Sequence, residues 1–384
     1  MLAHSLHLQN FRNHSDTSVS GLAPKINVFV GQNGAGKTSI LEALSLATLT
    51  KSFTTHSDSV LIKKEEQSLS VDARFQTDLG VPHNVKIEIT LGPPIRKSIF
   101  ANSERIRSAA DLVGIAPVVI LTPDEKVITG GGPSERRRFL NMVLSQASRA
   151  YLEDELEYRR ALKQRNAILS RQQGRSLSYI QPLIAPWTEL VRKHGARIMR
   201  RRASFTEEFR PRLLAWYSKL SQSREEPSLQ YLPMGLESVA TDYEALLASE
   251  ASKCETDEIR RGTTLFGPHR DELLLFVNPT QEARLYASQG QHKTLLVAMK
   301  LAEFEYLRDA ASETPILLLD DVFSELDDDR AHQLLDLAAS EELGQTFITS
   351  TERSRFEKKL DFSSGDHAFF EVSSGTVAPI LRGA

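Results

Sequence analysis

The run Ile26-Asn27-Val28-Phe29-Val30 leads into Gly31-Gln32-Asn33-Gly34-Ala35-Gly36-Lys37-Thr38, which opens directly onto Ser39-Ile40-Leu41-Glu42-Ala43-Leu44. An apolar strand that feeds a glycine-rich loop at the start of a helix is the setting a P-loop requires, and it commits this part of the chain to an α/β layout. Glycines at 31, 34 and 36 let successive backbone N–H groups turn inward, where the positive end of the following helix also points. That nest fits a triphosphate. Residues 31–39 are therefore expected to cradle a nucleoside triphosphate, with Lys37 reaching the β and γ phosphates and the Thr38 hydroxyl placed to ligate Mg²⁺. An ordinary glycine-rich turn would share the spacing but has no need of the flanking strand and helix.

The remaining pattern shows what surrounds the loop. With 384 residues, 40% of them hydrophobic, the chain has length and core material for two or three structural units. Residues 1–50 read as strand, turn, strand, P-loop and helix. Leu69, Val71, Ala73 and Phe75, then Val85, Ile87, Ile89 and Leu91, alternate with polar residues on either side of a turn-forming stretch at 80–84, which predicts an antiparallel sheet. Val118-Val119-Ile120-Leu121 reads as a buried strand ended by Thr122-Pro123-Asp124.

From Gly130-Gly131-Gly132-Pro133 to about residue 250 the composition is helical, and Pro182, Pro186 and the stretch 227–235 are expected to divide it into several helices. Trp187, Leu190, Val191, His194 and Ile198 form one apolar stripe in that region, so His194 reads as a core or snorkelling residue and not a ligand. The last third returns to α/β. Ile316–Leu319 and residues 345–349 read as parallel strands joined by a helix over about 328–340. The two α/β ends then share one sheet, giving an N-terminal head segment 1–132, an inserted helical arm 133–262 and a C-terminal head segment 263–384.

Two further clusters bear chemistry. Asp320 and Asp321 end the strand 316–319, and the carboxyl end of a parallel strand is where open α/β sheets bind ligands. Beside a P-loop, Asp320 suits Mg²⁺ coordination through water and Asp321 suits orienting the attacking water; without one, two acids could merely punctuate a strand. Ser288-Gln289-Gly290-Gln291 precedes the helical run Leu295–Leu301 and offers a hydroxyl, open backbone and a dipole end to an anion. Read in isolation, it is a simple helix cap.

Composition excludes some classes. The N-terminus lacks a basic segment followed by an apolar core, and no apolar stretch is long enough to cross a bilayer, so neither secretion nor membrane partnership is expected. Cys254 is the single cysteine, which suits a reducing cytoplasm and excludes an internal disulfide or cysteine metal cage. Net charge is −3, yet residues 134–212 carry 18 Lys and Arg against 8 Asp and Glu, a local +10. That segment is either a solvated helical face or a surface for DNA phosphates, with Arg136, Arg137, Arg138, Arg159, Arg160, Arg197, Arg200 and Arg201 as candidate contacts.

The P-loop, Ala287-Ser288-Gln289-Gly290-Gln291, Leu317-Leu318-Leu319-Asp320-Asp321 and Ser324-Glu325-Leu326-Asp327 follow the order of P-loop, signature, Walker B and D-loop in ABC-type ATPase heads. Within that class the chain resembles the RecF family of bacterial repair proteins along essentially its full length. Leu8-Gln9-Asn10-Phe11-Arg12-Asn13, residues 132–140 and Phe266-Gly267-Pro268-His269-Arg270-Asp271 carry the resemblance together with the signature and Walker B segments. It implies an ABC/SMC-type head, a mixed sheet with an antiparallel β subdomain, bearing a short helical arm in place of the long coiled coil of SMC relatives. It also implies an ATP-dependent homodimer in which Ser288, Gly290 and Gln291 of one copy approach the nucleotide on Lys37 of the other, with Asp327 crossing the same interface. The implied function is DNA binding at gaps and single-/double-strand junctions in repair and replication restart. RecO and RecR would be partners in loading RecA, in a cytoplasmic, nucleoid-associated setting, with slow hydrolysis serving as a switch.

The chain departs from the general head pattern in three places. The second acid is Asp321 where most heads have Glu, Thr349-Ser350-Thr351 stands where a switch histidine is usual, and Thr122-Pro123-Asp124 stands near the Q-loop position. Arg12, and His269 or Arg270, are candidate supporting groups for the γ-phosphate, with structural roles as the alternative. A transporter ATPase would need a membrane subunit that nothing in the basic arm suggests. A fused nuclease would need a further acidic domain for which no length remains.

Overall fold

Strands from opposite ends of the chain build the sheet that carries the P-loop. The computed structural model describes residues 1–173, 175–221, 224–236, 242–361 and 363–380. Its contacts fall into two units, Met1–Glu125 with Lys300–Ala384, and Lys126–Met299. Residues 133–262 lie within the second unit, which also takes in Lys126 to Gly132 and the stretch 263–299.

In the first unit a six-stranded sheet runs Thr376–Pro379, His367–Ser373, Ile26–Val30, Thr346–Ser350, Ile316–Asp320, Val118–Leu121. All neighbours are parallel except the outermost hairpin. Every residue of Ile26–Val30, Ile316–Asp320 and Thr346–Ser350 is buried, which is why apolar side chains occupy both faces of these strands instead of alternating with solvated ones. The helix Asp328–Ala339 makes the crossover between the last two. Register pairs Thr349 with both Phe29 and Asp320, and Ser350 with Val30. The carboxyl ends of three strands thus arrive side by side at the start of the P-loop.

An antiparallel sheet in the same unit runs His14–Val19, Leu2–Phe11, Ser68–Gln76, Pro82–Thr90, Arg96–Ala101, Glu104–Arg105. The alternation in the sequence appears as cross-strand pairs, Leu69 with Ile89, Val71 with Ile87 and Ala73 with Val85. Their inward side chains share one core with Ile40, Leu41 and Leu44 of the P-loop helix Lys37–Leu49. The turn sits earlier than the sequence suggests. Pro82 already pairs with Gln76, and Thr77 and Val81 close the reversal by a hydrogen bond of 2.9 Å.

The second unit packs helices Pro133–Ala147, Arg149–Arg171, Leu177–Leu220 and Tyr243–Arg261 with a three-stranded sheet ordered Gln281–Glu282, Glu272–Asn278, Ser228–Leu232. Pro182 and Pro186 do not divide the helical region. Both lie inside Leu177–Leu220, one helix of 44 residues, as does Pro211. All three prolines are exposed, so water can take the carbonyl left without its N–H partner, while Ile184, Val191, Ile198 and Phe205 keep the opposite face buried. His194 is half-buried, and its Nδ1 meets Asp154 at 2.7 Å.

Three buried arginines join elements of this unit. Arg136 meets Glu272 through two hydrogen bonds of 2.8 and 3.0 Å, and Arg165 meets Glu258 at 3.1 and 2.7 Å. Arg202 donates to Asp271 at 2.6 Å, to the Pro268 carbonyl at 2.7 Å and to Asn141 at 2.8 Å. A paired arginine is tolerated in the interior because the planar fork satisfies the carboxylate geometrically.

Candidate functional site

The P-loop backbone has shapes that only glycine supplies. Gly36 sits at φ 113°, and a Cβ there would lie 2.6 Å from His14 Nε2; a Cβ on Gly31 would lie 2.2 Å from the Val372 carbonyl oxygen. The side chain of Asn13 donates to the Ala35 carbonyl at 2.9 Å, and His14 Nε2 lies 3.1 Å from that of Gly36. Burial pushes the His14 pKa down, which favours the neutral ring in that support.

The loop opens on a cavity of about 640 Å³, lined by Asn33, Gly34, Gly36, Lys37, Thr38 and Ser39 among others. Lys37 Nζ donates to the carbonyls of Gly31 at 2.8 Å and Gln32 at 2.9 Å. Burial pushes its pKa down against the pull of Asp321 and Asp320.

Opposite the lysine, Asp320 Oδ1 accepts from Thr38 Oγ1 at 2.9 Å and from Thr349 Oγ1 at 2.7 Å. Burial pushes the Asp320 pKa up, while the two hydroxyls work the other way. Asp321 follows in the left-handed region at φ 51°, with its N–H held by Thr349 Oγ1 at 2.9 Å, and it lines the cavity. Thr38 and Asp320 together offer hard oxygen donors of the kind Mg²⁺ takes. Among the described residues no group of three His, Cys, Asp or Glu is placed to hold a metal alone, so Mg²⁺ here would draw its other ligands from phosphate and water.

Thr349, noted in the sequence only as standing where a switch histidine is usual, lies in the strand Thr346–Ser350 and holds both acids. A second contributor escaped the sequence altogether. Glu42 is a carboxylate within the apolar stretch 40–44; buried at 1% exposure, it takes two hydrogen bonds from Arg12, at 2.8 and 2.7 Å. Arg12 also donates to the Val60 carbonyl at 3.1 Å and lines the cavity.

In the second unit the signature segment starts the helix Gln289–Ala311. Ser288 Oγ accepts from the Gln291 N–H at 3.2 Å, and Gln291 Oε1 accepts from the Ser288 N–H at 2.6 Å, a reciprocal capping box. Ser288 is exposed and Gly290 half-buried. Asp327 caps the helix Asp328–Ala339 through the Arg330 N–H at 3.0 Å, which holds its carboxyl below the usual range.

His269 takes the structural role given as its alternative, whereas Arg136 departs from the sequence expectation. His269 Nδ1 lies 2.6 Å from the Tyr158 hydroxyl and Nε2 3.2 Å from the Thr264 carbonyl, and burial pushes its pKa down to about 4. Both ring nitrogens are engaged inside the unit. Arg136 is 2% exposed and tied to Glu272, so it is withdrawn from the candidate DNA contacts. Arg137 is half-buried and donates to the Asp271 carbonyl at 2.8 Å. Arg138, Arg159, Arg160, Arg197 and Arg200 are exposed, with Arg159 paired to Glu155 at 2.6 Å and Arg197 to Asp154 at 3.4 Å; Arg201 is half-buried and 3.4 Å from Glu208.

A P-loop whose threonine meets a strand-end aspartate, set in a parallel sheet beside an antiparallel one, defines the head of an ABC-type ATPase of the SMC class. The family model described as RecF/RecN/SMC N terminal domain matches residues 2–367, and the chain belongs to this family, on its RecF side. It is 38% identical to the DNA replication and repair protein RecF of Salinibacter ruber over 382 residues, 98% of this chain and 91% of that protein. To the RecF of Chloroherpeton thalassium it is 40% identical over 364 residues, 94% of this chain and 97% of that protein. A solved structure of the recombination mediator protein RecF-ATPrS in the RecFOR pathway superposes with a TM-score of 0.87 at 28% identity, covering 99% of this chain and 98% of that one. An Smc head bound to the C-winged helix domain of ScpA shares the fold, with a TM-score of 0.53 at 15% identity, covering 99% of this chain and 98% of that one.

Proposed function

We propose that this protein is an ATP-switched DNA-binding protein of recombinational repair and replication restart. Two copies close around two ATP molecules, each copy presenting Ser288, Gly290 and Gln291 to the γ-phosphate bound by its neighbour, with Asp327 at the same interface. The observation that carries the reading is the convergence of Lys37, Thr38 and Asp321 on one cavity, with Asp320 behind Thr38.

Residues 31–39 cradle the triphosphate, Lys37 neutralises the β and γ phosphates, and Thr38 and Asp320 hold Mg²⁺. Mg²⁺ bound there supplies charge neutralisation of the β and γ oxygens. Asp321 orients the attacking water. Its side chain is one methylene shorter than the glutamate of most heads, which suits slow, DNA-dependent hydrolysis that resets a switch. Arg12, fixed by Glu42, supports the nucleotide from the edge of the cavity.

The exposed arginines of the arm, residues 133–262, contact DNA phosphates with little sequence reading. Gaps and single-/double-strand junctions are the targets, and RecO and RecR are the partners through which bound DNA passes to RecA, in the cytoplasm at the nucleoid.

Sedimentation with and without ATP, Mg²⁺ and DNA tests the reading. Wild type should become dimeric with ATP and DNA, Lys37→Met should lose ATP binding by at least about a hundredfold, and Ser288→Arg should bind ATP yet stay monomeric. A wild type that remains monomeric under every condition overturns the closure, and normal nucleotide affinity in Lys37→Met overturns the P-loop assignment.

A further inference from the structure

The long helix Leu177–Leu220 ends in a hydrogen-bonded chain that leads to the signature segment. Tyr217, in its last turn, is 1% exposed and donates its hydroxyl to Glu225 Oε2. The other carboxylate oxygen, Oε1, accepts from Gln291 Nε2 at 2.6 Å. Gln291 then uses its amide oxygen on the Ser288 N–H at 2.6 Å.

A capping box needs only the exchange between Ser288 and Gln291, so helix initiation does not explain Glu225. The carboxylate is acceptor-only and therefore dictates which way the Gln291 amide faces, the nitrogen toward itself and the oxygen toward Ser288. Rotating that amide would set an oxygen against the carboxylate and an amide nitrogen against the Ser288 N–H. The same helix carries Arg197 and Arg200, exposed, with Arg200 roughly 25 Å from Tyr217 at the rise of an α-helix.

We infer that Glu225 is a positioning residue for the signature segment, and that with Tyr217 it couples DNA on the helix 177–220 to the closure of two copies on ATP. The inference rests on the dimer reading above and adds to it a physical route between its two ligands. DNA that shifts or stiffens the helix moves the Tyr217 hydroxyl, and the chain transmits the change to Ser288 and Gln291.

The test compares Glu225→Ala, Tyr217→Phe and Glu225→Gln with wild type for ATP affinity of the lone chain, duplex affinity, and ATP-dependent dimerisation with and without DNA. Glu225→Ala and Tyr217→Phe should weaken dimerisation at least about tenfold, the scale of losing a hydrogen bond to a charged group, and should abolish its enhancement by DNA. Both affinities of the lone chain should stay unchanged. Glu225→Gln retains an acceptor for Gln291 and a partner for Tyr217, and should recover most of the coupling; a purely structural role would instead lower thermal midpoint and every activity together.

Wild-type enhancement by DNA in Glu225→Ala and Tyr217→Phe overturns the inference. Where Glu225→Ala does not fold, Tyr217→Phe decides, since it removes one oxygen and keeps the ring. Ser288→Arg separates the two levels: if it too leaves self-association intact, the dimer reading fails, and if it abolishes self-association while the other variants couple normally, the route through Glu225 alone fails.

Discussion

Thr349 Oγ1 lies 2.7 Å from Asp320 Oδ1 while accepting from the Asp321 N–H at 2.9 Å, so one hydroxyl orients the first strand-end acid and anchors the backbone of the second. The anchor matters because Asp321 stands at φ 51°, a conformation that costs a non-glycine residue about 1 kcal/mol or more. A threonine on the neighbouring strand thereby sets the geometry of both acids.

Thr349→Val keeps the shape and removes both hydrogen bonds. Stability should fall by about 1–3 kcal/mol, the cost of leaving buried polar groups unpaired, as read by chemical denaturation. The Mg²⁺ concentration for half-maximal ATP hydrolysis should rise about tenfold while ATP binding in chelator is unchanged. An unmoved Mg²⁺ requirement would separate Thr349 from the metal function.

Asp321→Asn retains the turn and loses the carboxylate. ATP should bind and dimers should form, with hydrolysis at least about a hundredfold slower, the lower range for a group positioning a proton transfer. A mutant that is monomeric in saturating ATP would argue against a role confined to the water.

Arginines of the basic segment should divide by burial. Replacing Arg197, Arg200 and Arg201 by Ala should weaken duplex binding and reduce the slope of log affinity against log salt by up to about 3, near 0.9 per phosphate contact. Arg136→Ala should leave the slope of the folded protein unchanged and cost about 3–5 kcal/mol of stability, because Glu272 loses a buried partner. Identical slopes for wild type and the triple variant would place the DNA surface elsewhere.

His269 predicts an acid limb in stability. Its pKa falls from 6.5 unfolded to about 4 in the fold, so between those values the unfolded chain holds a proton that the folded chain refuses. Stability therefore rises with pH across that window, and the contribution, up to about 3 kcal/mol, is gone below about pH 4. Glu303, pushed up to about 7 by burial, acts in the opposite sense as pH rises from 4.5. The difference between wild-type and His269→Gln denaturation curves isolates the histidine. A pH-independent difference would sink this account.

The central strands were legible because a buried parallel strand has apolar residues on both faces, as Leu317, Leu318 and Leu319 do, and because the P-loop announces its strand and helix. The uninterrupted helix through Pro182 and Pro186 was not, since local propensity counts the lost N–H but not the face packed by Ile184 and Val191. Nor was the strand Ser228–Leu232, which lies in a proline-bounded stretch and takes its identity from pairing with Glu272–Asn278. At the site, the residues proposed to meet phosphate follow from spacing. The residues that hold them, Glu42, Asn13, His14 and Thr349, are fixed by folds of the chain that bring distant segments together. The charge count had a similar limit: it weighs Arg136, Arg165 and Arg202 equally with exposed arginines, although each is buried against a carboxylate.

Ile26–Val30 is flanked in the sheet by His367–Ser373 and Thr346–Ser350, segments translated roughly 300 residues later. While the chain leaves the ribosome, both edges of that strand stay open. Lys126–Met299 is contiguous in the chain and emerges whole before those segments do. Biogenesis thus leaves a long interval with a sticky apolar ribbon awaiting its mates, the kind of unpaired edge that invites association with other chains.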